Sequence, residues 1–190
     1  MRYAAFHLCV FILCVMPVSV AYAEASDNAA SRVPDWNSFE TNYFKVYYKP
    51  GADLRGIERH LRKRWFYFRE GQGYYGTDIE SKVAYRLDML FNKAQDILDM
   101  HPGVKKIMIK IFDNRGELND EYYKIFYVAQ NFKSFYIHAR KTIYTSEEDI
   151  SDSIMIHEMG HAIVDHYFSV LPPSKAGEVL ASYVDAHLED

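Results

Sequence analysis

Two histidines four residues apart enclose a glutamate in the run His157-Glu158-Met159-Gly160-His161. On a helix of 3.6 residues per turn, positions i and i+4 are offset by roughly 40° around the axis and roughly 6 Å along it. Both imidazoles can then reach one ion from a single helix face, with the Glu158 carboxylate beside that face and free to bond a water. The flanks demand burial. Met155, Met159 and Ile163 lie on the side away from the histidines, and Ile150, Ile154, Val164 and Phe168 lie near them. A helix apolar around most of its circumference is an interior helix, and imidazoles buried there need partners.

Composition makes the motif informative. With 8 His and 12 Glu in 190 residues, an H-E-x-x-H run is expected by chance about 0.02 times. The two cysteines, Cys9 and Cys14, lie in the run Ala4 to Val18, which is apolar apart from His7. Arg2 precedes this run, Pro17-Val18-Ser19 breaks it, and Ala21-Tyr22-Ala23 supplies a small-x-small exit. That is the pattern of a secretory signal peptide over residues 1–23, cleaved after Ala23. Leu13 before Cys14 does not suit lipidation. Residues 24–190 then carry no cysteine, so a metal must be held by His, Asp or Glu. The expected location is secreted or periplasmic, with no stable membrane span after cleavage. The whole chain has a net charge of −4 with no basic stripe, which argues against a nucleic-acid partner. Its 49% hydrophobic content excludes a disordered chain.

Patterning predicts a flexible leader over 24–36 and one domain over 37–190. Phe44, Val46 and Tyr48 alternate with Tyr43, Lys45 and Tyr47, predicting a strand over 42–48 before Pro50-Gly51. Leu54, Ile57, Leu61, Trp65 and Phe68 recur at helical spacing. A loop at Gly71, Gly73 and Gly76 separates them from a longer helix over 79–98, stopped by His101-Pro102-Gly103. A strand is predicted over 105–113, a short helix over 116–127 and a further strand over 135–144. Thr145-Ser146-Glu147-Glu148 has the form of a capping box, opening a helix to about Phe168, and Ser174 is expected to cap a last helix through His187. Aromatic clusters such as Trp65-Phe66-Tyr67-Phe68 and Tyr122-Tyr123 are expected to serve chiefly as core, and His60-Leu61-Arg62-Lys63-Arg64 as a solvated basic face.

A catalytic zinc needs a third protein ligand and an open position. Val164 and Tyr167 stand where a metzincin needs glycine and histidine, which excludes that class. Glu178, near the start of the last helix, is the leading candidate, with Asp165 and Asp185 as rivals. Asp165 is better placed to bond a ligand imidazole than to ligate, and Asp185 lies seven residues beyond Glu178 on the same face. An ordinary role for Glu178 is a first-turn glutamate favoured by the helix dipole.

Residues 134–187 resemble the catalytic core of gluzincin metallopeptidases, particularly the peptidase-MA-like group. The pieces that carry the likeness are the strand Phe135–Tyr144, then His157-Glu158-x-x-His161, then Glu178-Val179-Leu180-Ala181-Ser182-Tyr183, similar to a Glu-x-x-Ala-x-Tyr stretch. The thermolysin form around the third ligand is absent, since Gly177 precedes Glu178 and Ala181-Ser182 follow it. The resemblance implies an α+β, zincin-like fold: a small mixed sheet, an active-site helix and a third-ligand helix. It further implies one Zn²⁺ on His157, His161 and Glu178, Glu158 as general base, and a peptide or protein substrate added as a strand along 135–144. Tyr183, His187, His138 and Arg140 are the candidate donors to an oxyanion. A non-catalytic zincin-fold envelope module, for binding or structure, is the alternative, and a membrane-tethered accessory protein a third.

Overall fold

The alternation of Ile107, Ile109 and Ile111 with Met108 and Lys110 sends one face of a strand wholly into the interior, where the three isoleucines are buried. This strand forms the middle of the sheet. The computed structural model describes residues 36–61, 76–103 and 106–189. The expected signal segment, the leader up to residue 35, both cysteines, Arg62 to Arg64, the cluster at 65–68, Gly71 and Gly73 lie outside these residues.

The described chain is a mixed α+β unit. Its strands are β1 (Asn37–Glu40), β2 (Phe44–Tyr48), β3 (Ile107–Phe112), β4 (Ser134–Ile137) and β5 (Thr142–Ser146). They form one sheet in the order β1-β2-β3-β5-β4. The three central strands run parallel, while β1 and β4 lie antiparallel on the two edges. The helices are α1 (Leu54–His60), α2 (Ile79–Leu98), α3 (Arg115–Phe126), α4 (Asp152–Tyr167) and α5 (Ser174–Ala186). The main core joins Phe44, Val46, Ile109 and Ile143 of the sheet to Ile57 of α1, Leu87 and Phe91 of α2, and Met159 and Ile163 of α4. A smaller aromatic core, with Phe112, Phe135 and Tyr144 around Leu118 of α3, lies on the other face. Among the described residues, no helix is long and apolar enough to cross a membrane.

Local chemistry sets the helix limits. Asp78 caps α2 by accepting from the Ser81 amide at 2.9 Å, and Asp99 ends it in the left-handed region at φ 51°. The predicted helices at 79–98 and 116–127 thus stand with small changes at their ends. The predicted helix from Leu54 is α1 for its first seven residues, and its later part lies outside the described residues.

Three expectations require correction. The single strand over 135–144 is a hairpin, β4 and β5 joined by a 3₁₀ turn at His138–Arg140, with Lys141 reversing the chain at φ 48°. None of these residues is a turn former, and the reversal is held by the Lys141 side chain, described below. The capping box does not open a helix. Thr145 and Ser146 are the end of β5, paired with Ile111 and Phe112, and α4 begins at Asp152 under a Ser151 cap. Sheet pairing outweighs the local capping preference there. The last helix has Pro173 at its cap position with no side-chain bond, so Ser174 is its first residue rather than its cap.

Strand β1 was not foreseen. It pairs with β2 although only Phe39 is partly buried, and the turn between them is held by α2. The buried Asp88 carboxylate accepts from the Thr41 hydroxyl and from the Asn42 and Tyr43 amides at 2.8 and 3.3 Å. Trp36, last residue of the expected leader, packs edge-on against Phe112 with centroids 5.1 Å apart.

The entry to α4 is fixed by Asp149, whose carboxylate receives Arg115 Nε at 2.8 Å together with Arg115 Nη2, and the Ser146 hydroxyl at 2.9 Å. The bonds from Arg115 hold the Asp149 carboxyl below the ordinary aspartate range. A carboxyl depressed in the folded state stabilises fully above the unfolded value near pH 4, and that contribution is lost as pH falls through the depressed value. Asp149→Asn is therefore expected to lower the urea midpoint at pH 6 and to shrink the further loss between pH 6 and pH 3. An undiminished acid loss in the variant would refute this assignment.

Candidate metal centre

Helix α4 carries the motif, and its burial is asymmetric. Met155, Met159 and Ile163 are sealed in the core, as the sequence pattern requires, while His157 and His161 are partly open on the opposite side. Their rings stand edge to face with centroids 5.0 Å apart. Glu158 turns a third way, toward β4. It is buried, accepts from the Ser134 hydroxyl at 2.6 Å, and takes a second bond from the Tyr136 backbone N–H. Burial raises the Glu158 pKa to about 7, the Glu178 charge raises it as well, and the two hydrogen bonds oppose the rise. Burial likewise depresses His161, against the attraction of Glu178.

Helix α5 brings in Glu178. One carboxylate oxygen lies 3.5 Å from His161 Nε2 and the other 3.7 Å from His157 Nε2. Ligand atoms of the three residues all lie within 4.8 Å of one another, and among the described residues no fourth His, Cys, Asp or Glu joins the group. A tetrahedral zinc with bonds near 2.0–2.1 Å has ligands about 3.4 Å apart, which the two carboxylate–imidazole distances nearly match, while the widest separation in the set, up to 4.8 Å, would have to close for all three to reach one ion. Two nitrogens and one oxygen also match zinc chemically.

The close approach of α4 and α5 has a specific cause. A Cβ built on Gly160 stands 3.0 Å from Ala181 Cα and 3.4 Å from its Cβ, so any larger residue requires the Ala181 backbone to give by a few tenths of an ångström. One turn away, the Cα of Gly177 faces the other side of His161, where an added Cβ would lie 3.9 Å from Nδ1. The contact of Gly160 with Ala181 thus sets the spacing at which Glu178 meets the histidines, while Gly177 leaves room for an ordinary contact with His161.

The other candidates fall elsewhere. Asp165 touches neither imidazole. Its buried carboxylate holds both oxygens 2.7 Å from Lys141 Nζ and also meets Tyr136 Oη and His138 Nδ1, tying the hairpin turn to α4. Asp185 bonds the Ser153 hydroxyl rather than a ligand histidine. Tyr183 and His187 stack on each other with centroids 4.0 Å apart, and Arg140 donates to Tyr144 Oη at 3.3 Å. Those three side chains form no part of the cleft wall, whereas His138 does.

The cleft over the triad has a volume of about 720 Å³ and runs along β4, the outer strand of the sheet. At one end are His138 and Asp165. At the other, Tyr122, Phe126, Phe132 and Phe135 form an aromatic wall, so Tyr122 serves the cleft as well as the smaller core. Ser134, Tyr136 and Lys141 escaped the sequence, because nothing local marks a serine as partner to a glutamate 24 positions away. The sequence did hold a signal for Gly160, since a glycine inside a helix costs stability relative to alanine unless packing requires it.

No protein-family model, curated protein or solved structure matches the chain.

Gly160→Val tests the helix contact. The added branch must displace the Ala181 backbone, with an expected cost of about 1–3 kcal/mol. It should also move Glu178 away from the histidines, so that any affinity of this donor set for zinc falls. Unchanged melting temperature and zinc affinity would show that the close approach is not required.

Proposed function

We propose that the chain is a zinc-dependent peptidase of the gluzincin, peptidase-MA-like kind, with a zincin-like fold, acting in a secreted or periplasmic setting. The convergence of two imidazoles and one carboxylate beside a buried glutamate, in a cleft bounded by β4, the outer strand of the sheet among the described residues, carries this reading. His157, His161 and Glu178 would hold the ion. Bound there, zinc supplies a Lewis acid and a water whose pKa is lowered toward 7.

The remaining chemistry belongs to the chain's own groups. Glu158, buried beside the triad with its carboxylate held by the Ser134 hydroxyl, can take a proton from the attacking water and return it to the leaving amine. Ser134 and the Tyr136 amide fix the orientation of its carboxylate. β4 offers outward main-chain groups to an extended peptide, which would add as a further strand. His138, the one oxyanion candidate on the cleft wall, would act with both ring nitrogens protonated, donating Nδ1–H to Asp165 and Nε2–H to the substrate carbonyl oxygen.

The absence of a fourth His, Cys, Asp or Glu beside the triad, among the described residues, favours an enzyme over a purely structural module, because a closed structural site uses four protein ligands. Glu158→Gln is expected to lower kcat by about 10²–10⁴ while zinc content is retained. His138→Ala should cost about 10²–10³ in kcat, again with zinc retained. Wild-type protein that takes up no zinc from a stoichiometric solution, measured after dialysis, would overturn the proposal. So would a zinc-loaded protein that cleaves no member of a broad peptide library.

A further inference from the structure

The aromatic end of the cleft has no part in the chemistry assigned above. Phe135 lies on β4 with its side chain on the α3 face of the sheet, opposite to Ser134 and Tyr136, which reach Glu158 and Asp165 on the α4 face. Around Phe135 stand Tyr122 at a centroid distance of 5.0 Å and Phe132 at 6.1 Å, and Phe126 meets Tyr122 at 4.6 Å. Three of these rings are incompletely covered: Tyr122 is partly buried, Phe126 is 44% exposed and Phe132 36%. The loop that carries Phe132 is ordered by Asn119, which donates to the Phe132 carbonyl at 3.0 Å and accepts from its amide at 2.8 Å. The rings therefore form a held apolar recess that opens into the same cleft as the metal triad.

A strand added to β4 obeys the same alternation as β4 itself. Successive side chains point to opposite faces of the sheet, so the neighbours of a residue facing α4 and the triad face α3 and the recess. Resting on the peptidase reading, we infer that the substrate is an extended peptide segment placing an aromatic or long aliphatic side chain in the recess of Tyr122, Phe126, Phe132 and Phe135. The adjacent residue then faces the metal triad. The recess is concave and continuous with a sheet edge, which suits a single side chain of an extended chain. A lipid surface engages protruding rings instead. The cleft lining adds no lysine or arginine beside these rings, and its carboxylates, Glu158, Asp165 and Glu178, stand on α4 and α5, so a charged residue entering the recess would lose hydration without gaining a partner among the rings.

The test uses zinc-loaded protein carrying E158Q, so that peptides bind without being consumed. The probes are fluorescein-labelled, end-capped octapeptides of Ser, Thr and Ala in which one central residue is Phe, Leu, Ala or Asp, with binding read by fluorescence polarisation. Burial of one large apolar side chain predicts that the Phe and Leu peptides bind at least about 10-fold tighter than the Ala and Asp peptides. Adding F126A or F132A should abolish this difference while the melting temperature stays within a few degrees, since both rings are part exposed.

Equal affinities across the four peptides, or a preference that survives both substitutions, would overturn the inference. It would also fall if the same substitutions abolished binding to phosphatidylglycerol vesicles while no peptide showed selectivity, which assigns the rings to a lipid surface. Selective binding by E158Q together with intact peptides after incubation with wild-type protein keeps the recess and removes the peptidase reading. Cleavage by wild-type protein without selectivity does the reverse.

Discussion

The distance between two helix backbones governs the rest of this molecule. At Gly160 the missing Cβ lets α5 settle against α4 so closely that a methyl group would meet the Ala181 backbone at 3.0 Å. Helices usually pack 8–10 Å apart, and the lower end of that range requires small residues at the crossing. A bulkier residue at 160 would press α5 outward, away from the position in which the Glu178 oxygens lie 3.5 and 3.7 Å from the two imidazoles. The donor set is thus a product of packing. The histidines owe their position to the core face of α4, and the glutamate owes its position to a gap in a side-chain row.

A second level of organisation ties the sheet to the same helix. Asp165 gathers Tyr136, His138 and Lys141 onto α4, and Glu158 gathers Ser134 and the Tyr136 amide. These two buried carboxylates, seven positions apart on one helix, fasten β4 and its turn along the length of the cleft. Each is satisfied by several donors, as a charge removed from water must be. One pair of acids on α4 therefore sets where the cleft wall stands, while the two histidines between and beside them face the open side.

Much of this was legible in the sequence, and what was not has identifiable reasons. His157, Glu158 and His161 could be placed together because i, i+4 geometry depends only on the helix. Glu178 could be nominated from order and spacing, and it lies with the histidines here. Asp165 and Asp185 sit at helical intervals that bring them toward His161 and Glu178 respectively, which is why sequence alone nominates them. Their partners, Lys141, Tyr136, His138 and Ser153, come from long-range approaches that periodicity does not contain. The hairpin at 138–141 was hidden for a related reason, since Lys141 adopts its left-handed conformation without glycine or asparagine while its side chain is anchored on Asp165. The apparent capping box lost to pairing of Thr145 and Ser146 with β3. In each case a contact distant in sequence displaced a sound local preference.

Sheet edges carry a hazard that bears on β4. An unpaired strand bordering an open cleft is a template on which copies of the same chain can stack. Here the edge is only four residues long, one of its amides is already committed to Glu158, and the chain curls into a 3₁₀ turn immediately after Ile137. Such a short, partly occupied edge has room for a few residues of a passing chain and too little length to recruit a whole strand. The features that aim the Glu158 carboxylate therefore also act as gatekeepers against fibrous self-association.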